Sequence, residues 1–523
     1  MDNQPPEERR LVITVTLAVL VGWGAVGCGT SPDARSNDDG DTKVEADQPR
    51  GLLMSTPKSA PGYIYYAPLI SNITYLIESD SGAIVRTWKS ELVPSAFVYL
   101  LDSGHLLRGG REPDVAVFSG GGQGGRIQEF TWEGDVVWDF KFAGDEHLLH
   151  HDVAALPNGN ILAIAWEAKS LEETQQMGRV PEMTPEGGIW PDMIVELEPQ
   201  PPDGARIVWE WHAWDHMIQN HDEGLDGYGD PSAHPELIDI NAGPQPPDDM
   251  ADEEQSRYRG LGYVPEDSEH DPAADLMHTN AIAYNAALDQ IAVSIRTYNE
   301  VWIIDHSTTT EEARGHDGGR RGRGGDLLYR WGNPGAYGRG EDADQRTFGQ
   351  HDVRWIPEGL PGAGNMLVFS NNVPGPEGPH STVFEITPPI DDAGGYVLTG
   401  SDPYGPTTPT WSYTAPEPTS FHSPFISGAH RLPDGHTVIT SGGPGRFFEV
   451  TRDGEIVWEY RSPNSGDVDP SDDTMQFLIR QFPYAAFRAT KILPDHPALA
   501  GRELVPLNPQ PAPVAPPEST PES

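Results

Sequence analysis

The chain has 523 residues and a formal net charge of −46, with 80 acidic against 34 basic side chains. So acidic a surface repels phosphate backbones, which excludes nucleic acid as a partner, and any anionic substrate would need cations supplied locally. Hydrophobic residues at 37% suffice for a packed core, and 57 glycines with 51 prolines point to a fold rich in turns.

At the start, Arg9 and Arg10 precede an apolar run from Leu11 to Val21, followed by Ala25-Val26-Gly27-Cys28. A charged beginning, a short apolar stretch and small residues at a cleavage point predict a secretory signal over residues 1–27, and the run is too short for a membrane span. Small residues directly before a cysteine resemble a bacterial lipobox. Cys28 is therefore the expected lipidation site, which would hold an exported protein to a membrane at the periplasmic side or the cell surface. Because Cys28 is the single cysteine, no intrachain disulfide can form. Residues 28–60 are expected to be the lipidated cysteine and a disordered tether, being rich in Asp, Ser, Gly and Pro. Residues 507–523, dominated by Pro, Ala and Glu, are expected to be a disordered tail.

Residues 61–506 carry an internal repeat of four short strands, with a Trp in the last. The blocks begin near Phe97, His151, His278, His351 and Ala429. The leftover strands are Thr74 to Glu78 and Ile84 to Trp88 at one end and Phe487 to Pro494 at the other, and they supply most of a sixth block. The predicted fold is therefore all-β, a six-bladed β-propeller whose ring is closed by N- and C-terminal strands, which removes free sheet edges. Trp88, Trp138, Trp209, Trp331 and Trp458 are expected to pack between blades. An acidic break over 212–276 reads equally as a lid or as a solvated insertion.

His151 stands eight residues before Gly159, His351 eight before Gly359, and His278 holds the matching place between them. In a propeller the inner strands line the axis, so three histidines at one register predict a ring around a central site. Asn280, two residues after His278, is expected on the same strand face. Arg296 ends the next strand, where its guanidinium would help cradle an anion. Asp152 and Asp352 follow their histidines on the opposite face and suit anchoring. Arg488 and Ser427 hold the ring position in the remaining blades, with Arg488 a second candidate cation.

On these residues the chain resembles the bacterial arylsulfotransferase family. The likeness rests on His150-His151-Asp152-Val153 with Leu156-Pro157-Asn158-Gly159-Asn160, Met277-His278-Thr279-Asn280, Arg296 sixteen residues after Asn280, Gly349-Gln350-His351-Asp352 and Arg446-Phe447-Phe448-Glu449-Val450. It implies a sulfotransferase that moves a sulfuryl group from an aryl sulfate to a phenolic acceptor without a nucleotide donor or any cofactor, and it admits a homodimer. His351 matches the family's nucleophile, which forms a transient sulfohistidine. His278, Asn280 and Arg296 match residues that hold the sulfuryl oxygens. His151 matches a further site histidine, with His150 beside it leaving open which of the two faces the site. Two other readings of the same residues stand: a metal-dependent enzyme ligated by the axial histidines, in which the Arg296 cation would be misplaced, and a non-catalytic ligand-binding propeller on the cell surface.

Overall fold

Short runs of β-branched and aromatic residues, broken by Gly, Asn and Asp turns, favour antiparallel strands over helices. In a computed structural model these runs form six sheets around an axis, five of four strands and one of five, described for residues 48–113, 115–243, 274–466 and 478–516. The signal segment, Cys28 and the centre of the acidic insertion lie outside the described residues. Among the described residues no helix is long and apolar enough to cross a membrane.

The first blade takes its inner strand, Ala486–Ile492, from the C-terminal part of the chain. Its other three, Tyr63–Pro68, Ile73–Glu78 and Ile84–Lys89, come from the N-terminal part. Ring closure by both ends is thus observed, with Tyr63–Pro68 the strand that completes this first blade. The second blade begins with Val98–Leu100, the third with His147–Ala155, the fourth with Thr279–Asn285, the fifth with His351–Trp355 and the sixth with Gly428–Arg431.

The fourth strand of every blade carries a tryptophan whose indole N–H donates to the connection before the fourth strand of the next blade. Trp88 reaches Thr131 O at 3.1 Å, Trp138 reaches Gly204 O at 2.8 Å and Trp209 reaches Thr308 Oγ1 at 3.1 Å. Trp331 reaches Pro406 O at 2.9 Å, Trp411 reaches Arg452 O at 2.8 Å and Trp458 closes the ring on Ser79 O at 2.7 Å. Each latch contributes about 1 kcal/mol from its hydrogen bond, and all of these rings are buried except that of Trp411, which is half-buried. Trp411 belongs to the blade whose last strand was weakest in the sequence, and it completes a set of which five members were expected.

Three segments differ from expectation. Gly51–Ser55, placed in the tether, adds a fifth strand to the sixth blade by pairing with Ile456–Arg461. The start of the Pro-rich tail is docked as well: Leu507 N donates to Ile84 O at 2.9 Å, and Gln510 exchanges hydrogen bonds with the Ile84 backbone. Both segments satisfy backbone groups that an exposed strand edge would leave open. The near flank of the acidic insertion is built into the body. Met217–Ile218 pairs with Ile238–Asp239, Ile238 and Ile240 are buried, and Arg330 Nη1 donates to Leu237 O at 2.9 Å.

Candidate active site

The inner strands of the third, fourth and fifth blades do not run straight to the axis. Each carries a bulge, with a register break between Leu149 and Val153, between Thr279 and Ala281, and between His351 and Val353. The residue that bends the chain lies in the left-handed region: His151 at φ 52°, His278 at φ 51° and Asp352 at φ 58°. Such a residue without glycine costs about 1–2 kcal/mol, and strain of this kind gathers at functional sites.

The bulges bring His151, His278 and His351 onto the wall of one cleft of about 630 Å³, its open mouth included. The His151 and His278 rings meet edge to face with centroids 4.5 Å apart. Phe425, Ile426 and Phe487 form an apolar wall, with Arg111 and Gln123 at another part of the lining. A flat aromatic group suits such a space.

Each histidine is oriented by a partner that fixes its protons. Asn371 donates both amide hydrogens, to Ser423 O at 2.8 Å and to Ile426 O at 2.9 Å, so its Oδ1 must be the acceptor. That oxygen lies 2.9 Å from His351 Nδ1, and Gly349 O lies 3.1 Å from the same nitrogen. Nδ1 therefore carries the hydrogen, and Nε2 keeps a lone pair. Burial, and next the Arg296 guanidinium, hold His351 well below the ordinary imidazole range, so it is neutral at neutral pH.

His278 Nδ1 donates to Asp275 Oδ2, while Asp275 Oδ1 accepts the His278 backbone N–H at 3.0 Å and the Trp166 indole N–H at 3.0 Å. Burial lowers the His278 pKa and Asp275 opposes that shift. Burial works against ionisation of Asp275, but His278 brings the carboxyl below its ordinary value. The pair is a carboxylate and a neutral imidazole. His150 is buried, stacked on Trp166 with centroids 4.2 Å apart, and its Nε2 lies 3.2 Å from Asp192 Oδ1. Its Nδ1 lies 2.8 Å from His151 Nδ1. His151 is the ring that lines the cleft, and His150 stands behind it. Burial, then the neighbouring histidines, push the His151 pKa well down. Gly122 packs on the His151 ring so closely that a Cβ there would lie 2.2 Å from Nε2.

Arg296 is buried just after the second strand of the fourth blade, and its cation lowers the pKa of both His278 and His351. Its Nη2 lies 3.8 Å from where a Cβ on Gly349 would stand, so the guanidinium packs beside the turn that delivers His351. Asn280 differs from expectation. Regular alternation would put it beside His278, but the bulge intervenes. Its Nδ2 donates to Gln350 O at 2.8 Å, and it does not line the cleft.

Arg488 is not a free cation for the site. Its Nη1 donates to Asp152 Oδ2 at 2.6 Å and Tyr99 OH at 3.0 Å, its Nη2 to Asn280 O at 3.0 Å, and its Nε lies 3.1 Å from Asp352 Oδ1. Asp152 and Asp352 thus anchor, as their strand face suggested. Ser427 bonds Ser423 Oγ at 2.9 Å and stays out of the lining.

Sequence reasoning missed Asn371, Asp275 and Asp192. Asp275 carried a signal as an acid three residues before His278. Asn371-Asn372 was another, a polar pair ending a buried apolar strand.

The family profile described as Arylsulfotransferase (ASST) matches residues 104–480, well over half of the chain. The chain belongs to the arylsulfotransferase family. As an arylsulfotransferase it is a sulfotransferase enzyme carried on a propeller. A search of curated proteins returned no match. Among solved structures, a protein from Bacteroides caccae is 11% identical with a TM-score of 0.40, covering 83% of this chain and 99% of its own. Virginiamycin B lyase from Staphylococcus aureus is 10% identical with a TM-score of 0.33, covering 78% of this chain and 87% of its own. Likenesses of this size carry no argument. In this arylsulfotransferase the axial histidines do not form a cluster with metal-ligand spacing among the described residues. Such spacing is found instead at His216, His316 and Asp326 and at Asp434, His436 and Glu449.

Proposed function

We propose that this arylsulfotransferase moves a sulfuryl group from an aryl sulfate to a phenolic acceptor through a sulfohistidine on His351. The observation that carries the reading is the fixed tautomer of His351, whose Nδ1 is held by Asn371 and Gly349 and whose neutral ring keeps a lone pair on Nε2.

His351 Nε2 attacks the donor sulfur, the S–O(aryl) bond breaks, and a phenolate leaves. Sulfuryl transfer resembles phosphoryl transfer in spreading charge over peripheral oxygens, so the Arg296 guanidinium beside His278 and His351 supplies the main electrostatic stabilisation. In the second half the acceptor phenol gives its proton to a neutral imidazole, His278 backed by Asp275 or His151 backed by His150. The acceptor oxygen then attacks sulfur, the S–N bond breaks, and His351 is restored. Asn280 acts by holding Gln350, the residue before the nucleophile. The signal-like N-terminus and Cys28 support a lipid-anchored enzyme working outside the cytoplasm.

The test is turnover of a chromogenic aryl sulfate with and without added phenol. Release of the chromophore is expected to accelerate with phenol, and a peptide containing His351 is expected to carry the sulfuryl group after rapid quenching. Release indifferent to phenol, with no labelled His351, would sink the reading.

A further inference from the structure

Away from the axis, two imidazoles and a carboxylate meet where the acidic insertion leaves the third blade. His216 ends a short 3-10 turn, Ala213–His216, directly after the outer strand Gly204–His212. His316 and Asp326 lie in the glycine-rich connection between the last two strands of the fourth blade. His216 Nδ1 is 2.8 Å and His316 Nδ1 is 2.7 Å from the same oxygen, Asp326 Oδ1. The potential ligand atoms of all three residues lie within 4.8 Å of one another.

The His216 ring is held from both sides by protein oxygens. Its Nε2 donates to Ala313 O at 2.8 Å, which turns Nδ1 toward Asp326 Oδ1. The site is also rigid on its inner side. The His216 ring stacks on Trp211 with centroids 5.7 Å apart, and the Trp211 indole donates to Gly325 O at 2.7 Å. A Cβ on Gly325 would lie 2.5 Å from His216 Nε2, so glycine lets the connection close over the ring. Only His316, with 61% of its side chain exposed, faces solvent.

We propose that His216, His316 and Asp326 bind a divalent transition metal of the zinc type, with solvent in the remaining position. Two imidazole nitrogens and one carboxylate oxygen are a donor set that zinc accepts and calcium does not favour. Coordination at about 2.0–2.2 Å requires the ligand atoms to spread by roughly half an ångström, which the exposed His316 can provide. The ion clips a glycine-rich connection, otherwise costly to order, onto the base of the acidic insertion. None of the three residues lines the axial cleft, so the ion is separate from the sulfuryl chemistry. The cluster of Asp434, His436 and Glu449 is a poorer candidate, because Glu449 Oε2 is already neutralised by Lys491 Nζ at 2.7 Å.

The test uses the full protein, stripped with a chelator and titrated with Zn²⁺ and Co²⁺. One equivalent of metal is expected by elemental analysis, with visible Co²⁺ absorption, a rise in melting temperature on Zn²⁺ addition and no competition from Ca²⁺. His316→Ala, a change at an exposed side chain, is expected to weaken binding at least tenfold while keeping the fold, and Asp326→Asn to abolish it. His351→Ala and His436→Ala are expected to bind as the parent does. Absence of stoichiometric binding, unchanged affinity in His316→Ala, or loss of binding in either control would overturn the assignment.

Discussion

Two adjacent layers of the same inner strands are built for opposite ends. His151 and His351 present neutral imidazoles to a cleft, whereas Asp152 and Asp352, one residue further on, are consumed by protein partners. Asp152 accepts from Tyr99 OH at 2.7 Å, from Arg488 Nη1 at 2.6 Å and from Ile282 N at 3.2 Å. Asp352 pairs with Arg354 Nε at 3.0 Å and accepts from Ala429 N at 3.0 Å. In the histidine layer the hydrogen bonds point away from the axis and leave lone pairs for a substrate. In the aspartate layer Arg488 reaches from the first blade to the third, fourth and fifth. Blades are tied together one residue away from where they must stay available for chemistry.

The sharpest way to break this contrast is to remove one member of each layer. His351→Ala is expected to lower sulfuryl transfer by on the order of 10⁴–10⁶-fold, the scale of deleting a nucleophile, with a melting temperature close to the parent's. Stopped-flow release of the aryl product, beside a thermal melt, checks both. Asp352→Ala is expected to do the reverse in kind: it leaves Arg488 short of a buried partner and destabilises the fold by about 3–5 kcal/mol, read by thermal or denaturant unfolding. A transfer defect without a stability defect there would dissolve the distinction.

Smaller changes refine the histidine layer. Asn371→Ala frees the His351 ring to rotate or change tautomer and is expected to cost about 10–100-fold in kcat with little change in KM, as for other orienting partners. Because burial and Arg296 lower the His351 pKa, and burial lowers that of His278, activity is expected to hold below pH ~6.5 before protonation removes the lone pairs. Arg296→Met withdraws a cation that disfavours imidazolium. Beyond its loss in rate, it is expected to move the acid limb of kcat/KM upward in pH, a shift that a purely structural role for Arg296 would not produce.

Much of the architecture was legible because turn chemistry and strand composition act locally. Gly159 and Gly435 adopt left-handed turns at φ 88° and φ 90°, and Trp88, Trp138, Trp209, Trp331 and Trp458 each fall on the fourth strand of a blade. The convergence of His151, His278 and His351 followed from register. What register could not convey was the bulge. It leaves Asn280 bonded to Gln350 O outside the cleft lining, and makes His151 and His278 the left-handed residues in two blades, but Asp352 in the third. The docked flanks, Gly51–Ser55 and Leu507 to Gln510, were hidden because nothing in a polar or Pro-rich segment announces which sheet edge it will cover.

By itself, then, the sequence determined the number of blades, the closure of the ring by both ends and the histidines that reach the axis, since each is written in short-range pattern and repeat spacing. The tertiary structure alone decided which ring nitrogen bears the lone pair and whether a charge is spent or available. Those properties are set by partners such as Asn371 for His351 and Asp152 for Arg488, which lie 20 and 336 residues away along the chain. A proton's position depends on the acceptor across the gap, and only the fold brings that acceptor there.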